Sequence, residues 1–321
     1  MAIERARADA IPKPWGVLDT RPFRKTAPGE DAIGEIWYER SDAAEINSSL
    51  LLKLLFTSQP LSIQVHPDDA YAQSIGQRNG KTEAWYILNA APDAKIALGL
   101  KEHLTSRQLR EAVDDGSIAN LVVWRAVFAG DSFLIPAGTI HAIGAGLVIA
   151  EIQQRSDATF RIYDYGRKRE LHVEQAVEVA NAGPASFNVD QVRLSSERTQ
   201  LIYNKLFALE RIELAPNSMW HLETDRETWL LDVSGNARVG LFDIAPGEAV
   251  FLQSDGVDIV VGPIGLTALV SYTGGRPLPH LLTRIGEDSG CDHVLPTVAD
   301  EALTPAAKLK ISTPHRSDLI Q

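Results

Sequence analysis

The strongest constraint on the fold of this chain is a series of short strand-like segments, each followed by a turn composition. Between the segments lie Pro-, Gly- and Asn-containing stretches such as "PDDA", "GQRNGK" and "NAAPDA". Many short strands with few helices are typical of a sandwich, barrel or jelly roll, so we expect a mainly β fold. The predicted strands of this region are residues 49–56, 61–66, 83–88, 95–100, 120–127 and 131–136.

Two segments predict helices. In the first, Thr105 stands where an N-cap is expected, Gln108 follows three residues later, and Gly116 can end the helix. The second segment, residues 172–183, has a helical composition and also ends at a glycine. We therefore expect a few short helices beside the strands.

A weak internal repeat predicts two domains of one architecture. "GDSFLIPAGTIHAI" begins at Gly130 and "GEAVFLQSDGVDIV" begins at Gly247, and the alignment of the two places His141 opposite Asp258. The second copy lacks polar features that the first has. We expect a first, chemically active domain over residues 1–186 and a degenerate second domain over residues 187–321.

Composition and charge exclude several classes of partner. The 321 residues carry a formal net charge of −11, which argues against nucleic-acid binding. A single cysteine, Cys291, predicts neither disulfides nor a thiolate zinc site. The opening residues have no apolar run, and no stretch has the length of a membrane span, so we expect a cytoplasmic protein without a membrane partner. A monomer or small homo-oligomer is expected.

Polar residues on neighbouring predicted strands raise the question of a metal site. In "LSIQVHPDDAYA" (61–72), Gln64 and His66 share one face of the strand, and Pro67 ends it. Glu83 opens the next strand, and His141 follows the turn of "IPAGT". Each residue alone has an ordinary interpretation, as a hydrogen-bonded core histidine or a surface polar group. Together they favour a site that binds a metal through N and O atoms.

Several longer motifs carry a family resemblance. The motifs are "KPWG" (13–16), "GEIW" (34–37), "LLKLLFTSQPLSIQVHPDDAYA" (51–72), "GKTEAWYIL" (80–88), "IPAGTIHAIGAG" (135–146) and "SDATFRIYDYGRKRELHVEQA" (156–176). In this order they resemble the type I phosphomannose isomerases in their short bacterial form. The resemblance implies two cupin-type jelly-roll domains and isomerisation of mannose 6-phosphate to fructose 6-phosphate through a cis-enediol.

The resemblance also implies the roles of individual residues. One zinc ion per chain, replaceable by other divalent ions, is expected on Gln64, His66, Glu83 and His141. Arg161, Lys81 and Glu151 are expected to be catalytic. Arg161 and Lys81 are also expected to bind the sugar-phosphate substrate. Apart from the resemblance, a phosphate needs local positive charge, so Arg167, which ends a predicted strand near the site, is expected to bind substrate, whereas Arg169 is expected to lie in a solvated basic loop. The long forms have His-Lys-Pro-Glu where this chain has Gly80 to Glu83, so any role of that histidine is absent.

Three alternatives differ in testable ways. A non-catalytic sugar-binding or sensing cupin would keep the metal site but lack Lys81, Glu151 and Arg161, and all three are present. A cupin oxygenase usually has two histidines, one carboxylate and open positions, and Gln64 as a fourth ligand argues against it. A nucleotide-dependent enzyme is disfavoured because "GAGLVIA" (144–150) lacks the third glycine of the dinucleotide-binding motif.

Overall fold

The computed structural model describes residues 2–27, 29–41, 48–186 and 190–286. This part of the chain is mainly β, with a few short helices, as predicted from the sequence. The strands are β1 Ala2–Arg5, β2 Arg7–Val17, β3 Ile33–Glu39, β4 Leu50–Thr57, β5 Ile63–Val65, β6 Glu83–Ala90, β7 Lys95–Leu100, β8 Val122–Ala126, β9 Ser132–Ile135, β10 His141–Ile143, β11 Leu147–Gln154, β12 Phe160–Tyr163, β13 Val192–Arg193, β14 Arg198–Tyr203, β15 Phe207–Leu214, β16 Met219–Val239, β17 Phe242–Ile244, β18 Ala249–Thr273 and β19 Leu282–Ile285. The helices are α1 Asp69–Ser74, α2 Ser106–Asp114, α3 Ile118–Leu121 and α4 Val173–Val179.

Residues Met1–Gly286 form one compact unit. The predicted domain boundary between residues 186 and 187 stays a prediction. Residues 187–189 and 287–321, which include Cys291, lie outside the described residues. Among the helices of the described part, none is long and apolar enough to cross a membrane.

The first half of the chain is a roll of two antiparallel sheets. The six-stranded sheet has the order β2-β3-β4-β11-β6-β9, and the five-stranded sheet has the order β12-β5-β10-β7-β8. Apolar side chains from both sheets meet in one buried cluster, among them Trp85 and Ile87 from β6, Leu98 from β7 and Ile143 from β10. The interior of the roll therefore lies between these two sheets. Helices α2 and α4 pack on the other face of the five-stranded sheet.

Alternation along β4 explains how polar groups reach the interior of the roll. Leu52 and Leu54 belong to the apolar cluster on the outer face of the six-stranded sheet. Successive side chains of a strand point to opposite faces, so Lys53 points to the inner face. All eight residues of β4 are buried because both faces of this sheet are covered.

The second half is a single eight-stranded sheet. Its central strands, β16 and β18, are 21 and 25 residues long and pair with each other over most of their length. Residues such as Thr228 pair with two separate parts of β18, Leu252 and Tyr272, so the sheet curls around its own apolar cluster. One of its eight strands, β1, comes from the first half of the chain and pairs with β18.

The internal repeat differs from expectation at its turn. Two domains of one architecture would have a turn after the strand that begins near Gly247, as the first copy has between β9 and β10. Instead β18 runs on without a break through Ser254, which adopts a positive φ of 49°. The second copy lacks the Pro-Ala-Gly turn of the first, so nothing forces a corner there.

The two halves pack through the outer face of the six-stranded sheet. One buried cluster contains Leu52, Leu54 and Phe56 from the first half and Trp229 and Phe251 from the second. Burial of these apolar side chains stabilises the contact between the two halves.

The helix predictions are right for α2 and too long for α4. In α2, Thr105 is the N-cap and forms a capping box with Gln108, as predicted. The helix predicted over residues 172–183 ends at Val179, because Asn181 pairs with Thr139 and draws the following chain into an extended path. The turn composition "PDDA" also contains the start of α1, which Asp68 caps.

Candidate metal centre and active site

Cross-strand register places three predicted site residues side by side. On the five-stranded sheet, Gln64 of β5 pairs with His141 of β10 on one side and with Arg161 of β12 on the other. Paired residues on adjacent antiparallel strands present their side chains to the same face. The three side chains therefore form one row across β12, β5 and β10.

A second row lies on the six-stranded sheet. Glu151 of β11 pairs with Lys53 of β4 and with Trp85 of β6. Glu83, at the start of β6, pairs with the neighbouring Gln153. The two sheets thus bring predicted residues from distant parts of the chain to one end of the roll.

His66, Glu83 and His141 form a buried group that could hold a metal ion. Their donor atoms all lie within 4.8 Å of one another, and each side chain is 1% exposed. The Nε2 atom of His66 is 3.4 Å from Glu83 Oε2, and that of His141 is 3.3 Å from Glu83 Oε1. Two donors each about 2.1 Å from a tetrahedral ion would be about 3.4 Å apart.

The other ring nitrogens fix which atoms face this group. His66 Nδ1 donates to the carbonyl of Ala158, and His141 Nδ1 donates to the carbonyl of Thr139, each at 2.9 Å. A neutral imidazole protonated on Nδ1 presents a lone pair on Nε2. His66 Nε2 and both carboxylate oxygens of Glu83 are buried without a hydrogen-bond partner among the described residues. The imidazole lone pairs and the carboxylate oxygens of Glu83 therefore face one another with no hydrogen atom to bridge them. A bound cation would satisfy all of these electron-rich atoms.

The charge states agree with that arrangement. Burial, followed by the nearby Lys81 ammonium, lowers the pKa of His66 to about 3. Burial also lowers the pKa of His141. Burial acts to raise the pKa of Glu83, but Lys81 and His66 outweigh it, so this pKa lies below its ordinary value. Two neutral imidazoles and one carboxylate are the forms that bind a metal.

Gln64 lies beside this group. Its Nε2 atom is 3.3 Å from His141 Nε2, and its Oε1 accepts a hydrogen bond from Ser62 Oγ at 3.1 Å. The two ends of an amide exchange places on a 180° flip, which would turn the oxygen toward His141 Nε2. The fourth predicted ligand is therefore within reach of the other three.

Lys81 and Glu151 line the cavity next to the metal group. Lys81 Nζ is 3.4 Å from Glu83 Oε2. Burial acts to lower the pKa of Lys81, but Glu83 and Glu151 outweigh it, so the pKa is raised and the amine is an ammonium. Glu151 accepts a hydrogen bond from Trp85 Nε1 at 3.1 Å. Burial, followed by the charge of Glu83, raises the pKa of Glu151.

The three arginines considered from the sequence occupy different positions. Arg161 and Arg169 line the same cavity as Gln64, Lys81 and Glu151, whereas Arg167 does not. Arg167 donates instead to Asp164 and to the backbone carbonyl of Pro60. The expectation that Arg169 lies in a solvated loop is wrong, because its side chain is 27% exposed, binds the buried Asp164 and faces the cavity.

The second half has no equivalent group in the described part of the chain. His221 forms an ion pair with Asp258 on the surface at 2.7 Å. The buried Glu227 of β16 accepts hydrogen bonds from the backbone N–H groups of Ser49 and Leu50 and from Trp229 Nε1. The backbone hydrogen bonds hold the start of β4 in place, and they occupy the carboxylate oxygens that would otherwise bind an ion.

Sequence reasoning missed Lys53. This lysine is 4% exposed, lies 3.4 Å from Glu151 and donates to Gln153 at 2.9 Å. Burial lowers its pKa, and the charge of Glu151 offsets this only in part. One charged residue inside the apolar strand "LLLKLLFT" was a signal that this face does not belong to the hydrophobic core.

Two jelly-roll halves, with a buried His–Glu–His group at the end of the first, define a cupin-type protein with a candidate metal site. Comparison with known proteins shows which members of this class the chain is similar to. The chain is 39% identical over 178 residues to the mannose-6-phosphate isomerase of Streptococcus mutans serotype c, a match over 52% of this chain and 55% of the relative. The match therefore spans about half the length of that relative. No protein-family model matches the chain.

Solved structures share the fold over a longer part of the chain. The mannose 6-phosphate isomerase from Bacillus subtilis superposes with a TM-score of 0.75 at 23% identity, over 85% of this chain and all of that one. A mannose 6-phosphate isomerase described as holo and zinc-bound gives a TM-score of 0.68 at 15% identity, with the same coverage. The solved structures confirm the predicted fold, and the sequence match to the Streptococcus mutans relative agrees with the resemblance drawn from the motifs.

Proposed function

We propose that this protein is a mannose-6-phosphate isomerase that depends on a divalent metal, most simply zinc. The observation that carries the proposal is the convergence of two histidine lone pairs and the Glu83 carboxylate beside a cavity lined by Lys81, Glu151 and Arg161. Relatives that bear this name and a zinc-bound structure of the same fold support it.

Gln64, His66, Glu83 and His141 would hold the metal. Two neutral imidazoles, a neutral amide and one carboxylate leave a divalent ion with a net charge near +1. Such an ion supplies Lewis-acid stabilisation of a substrate oxygen. Because all four donors are N or O atoms, manganese or cobalt could replace zinc. One ion per chain is expected.

Proton transfer between C2 and C1 of the sugar needs a base at the cavity. Glu151 is a carboxylate facing the cavity, while Lys81 is held as an ammonium against Glu83. Glu151 is therefore the first candidate for the base, and Lys81 is the second. Arg161 cannot lose its proton in practice, so its role is to stabilise the negative charge of the enediolate and to bind substrate.

The coupled assay of fructose 6-phosphate formation tests the proposal. Zinc-loaded protein should convert mannose 6-phosphate, and mannose without the phosphate should be a poor substrate. If the zinc-loaded protein binds mannose 6-phosphate but does not turn it over, the proposal is wrong, and the chain is a sugar-binding or sensing cupin.

A further inference from the structure

The cavity next to the metal group has an excess of positive charge, although the whole chain is acidic. Its lining contains five cationic side chains and three carboxylates, in a chain with a formal net charge of −11. The cationic side chains are Lys13, Lys53, Lys81, Arg161 and Arg169. A cavity of this charge favours an anionic ligand.

The three lysines of the cavity are already paired with carboxylates. Lys13 lies 3.3 Å from Glu35, Lys53 lies 3.4 Å from Glu151, and Lys81 lies 3.4 Å from Glu83. Their charges are therefore largely compensated within the protein. Arg169 is also paired, but it shares the single carboxylate of Asp164 with Arg167, so one positive charge of that group is left uncompensated.

The guanidinium of Arg161 has no hydrogen-bond or ion-pair partner in the part of the chain that the structure describes. Its backbone N–H donates to His172 Nδ1, and its side chain faces the cavity. Burial, followed by the like charge of Arg169, lowers the pKa of Arg161. Two guanidinium groups that repel each other at one cavity favour a ligand that carries negative charge.

Contacts with Asp164 and Trp15 hold the Arg169 side chain in a fixed orientation. Its Nε and Nη2 atoms both donate to the Asp164 carboxylate, and its guanidinium lies 4.9 Å from the centre of the Trp15 ring. This two-point contact leaves the Nη1 group free of any protein partner within the described residues. Arginine recognises phosphate through such free N–H groups, and a pre-positioned side chain loses little entropy on binding.

Arg167 differs from Arg169 although it follows the same buried carboxylate. It donates to Asp164 Oδ1 at 3.1 Å and to the Pro60 carbonyl at 2.7 Å, and it does not line the cavity. These contacts tie the loop to the residue before β5. We propose that Arg169 binds the phosphate group of the substrate and leaves Arg161 for the enediolate, an inference that rests on the proposed isomerase function.

Steady-state kinetics on zinc-loaded Arg169→Gln tests the inference. The KM for mannose 6-phosphate should rise about 10- to 100-fold, as for loss of a charge-assisted hydrogen bond, with kcat changed less than the KM. The inhibition constant of inorganic phosphate as a competitive inhibitor should rise by a similar factor in this variant. Arg169→Lys keeps the positive charge but loses the planar guanidinium, so its KM should lie between those of the wild type and Arg169→Gln. Lys168→Gln removes one charge from an exposed neighbour and should match the wild type.

Three results would overturn the inference. One is an unchanged KM in Arg169→Gln; another is a KM effect in Arg167→Gln with none in Arg169→Gln; the third is an equal effect in Lys168→Gln. If the wild type does not isomerise mannose 6-phosphate, the proposed function fails separately. Calorimetry then tests Arg169 as an anion-binding residue without reference to catalysis. Inorganic phosphate should bind Arg169→Gln more weakly than the wild type. Equal binding to both proteins would reject this role.

Discussion

At the scale of single residues, Arg161 stands apart because its guanidinium faces the cavity with no described protein partner. Arg161→Lys keeps the positive charge but loses the planar fork. If Arg161 acts as an oxyanion-hole donor does, kcat should fall on the order of 10² or more. Metal content should be unchanged, since Arg161 is not a proposed ligand. A kcat equal to that of the wild type would remove the arginine from the chemistry.

The identity of the base is a second residue-scale prediction. Glu151→Gln keeps the shape of the side chain and removes the base, so turnover and deuterium exchange at C2 should both fall roughly 10²- to 10⁴-fold. NMR of mannose 6-phosphate in D₂O measures the exchange. Normal exchange in Glu151→Gln with exchange lost in Lys81→Met would assign the base to the lysine instead.

The sequence predicted the four proposed metal-binding residues but not the whole cavity. Gln64, His66, Glu83 and His141 stand in short motifs whose spacing reflects strand alternation and a tight turn. The lone lysine in an apolar strand marks Lys53 as unusual, but the cavity that Lys53 and Arg169 enter is set by pairings distant in sequence. The first depends on which face of β4 is inward, and the second depends on a loop folded over Asp164.

At the scale of elements, Glu227 shows how the second half reuses a position for structure. Its carboxylate accepts from the N–H groups of Ser49 and Leu50 at 2.5 and 2.9 Å, at the start of β4. It also accepts from Trp229 Nε1 at 3.1 Å. Glu227→Ala leaves these three donors unpaired, and the free energy of unfolding should fall by roughly 2–4 kcal/mol. Urea unfolding measures it, with Glu223→Ala, an exposed glutamate of the same strand, as the control. An equal loss in both variants would contradict this role.

The elements were predictable where local chemistry alone decides them. The capping box of Thr105 and Gln108 fixes the start of α2 within its own sequence. The end of α4 is set by Asn181 pairing with Thr139, a contact across 42 positions that the local sequence does not contain. The same holds for β18, which continues through Ser254 while paired with β16 on both sides of that residue.

At the scale of the whole molecule, stability should depend on the protonation of Asp232. This carboxylate is 0% exposed, and neither oxygen has a hydrogen-bond partner among the described residues. Burial, followed by the charge of Glu248, raises its pKa from 3.8 to about 7. The folded state therefore binds the proton more tightly than the unfolded state, and this contribution to stability is lost as pH rises from about 4 to about 7.

Asp232→Asn removes that titration. The variant should be more stable than the wild type at pH 8, by on the order of 4 kcal/mol, and similar to it at pH 4. Urea unfolding across this pH range gives the difference, with the exposed Asp93→Asn as the control. A wild type whose stability relative to Asp232→Asn does not change with pH would mean that the carboxylate is not neutral in the folded protein.

The metal content of matched histidine variants tests the proposed centre most directly. Mass spectrometry of purified protein should find about one divalent ion per chain in the wild type and in His221→Ala, whose histidine pairs with Asp258 on the surface. His141→Ala removes one of the buried donors and should lose the ion together with isomerase activity. Full metal content in His141→Ala, or loss of the ion in His221→Ala, would contradict a metal site at His66, Glu83 and His141.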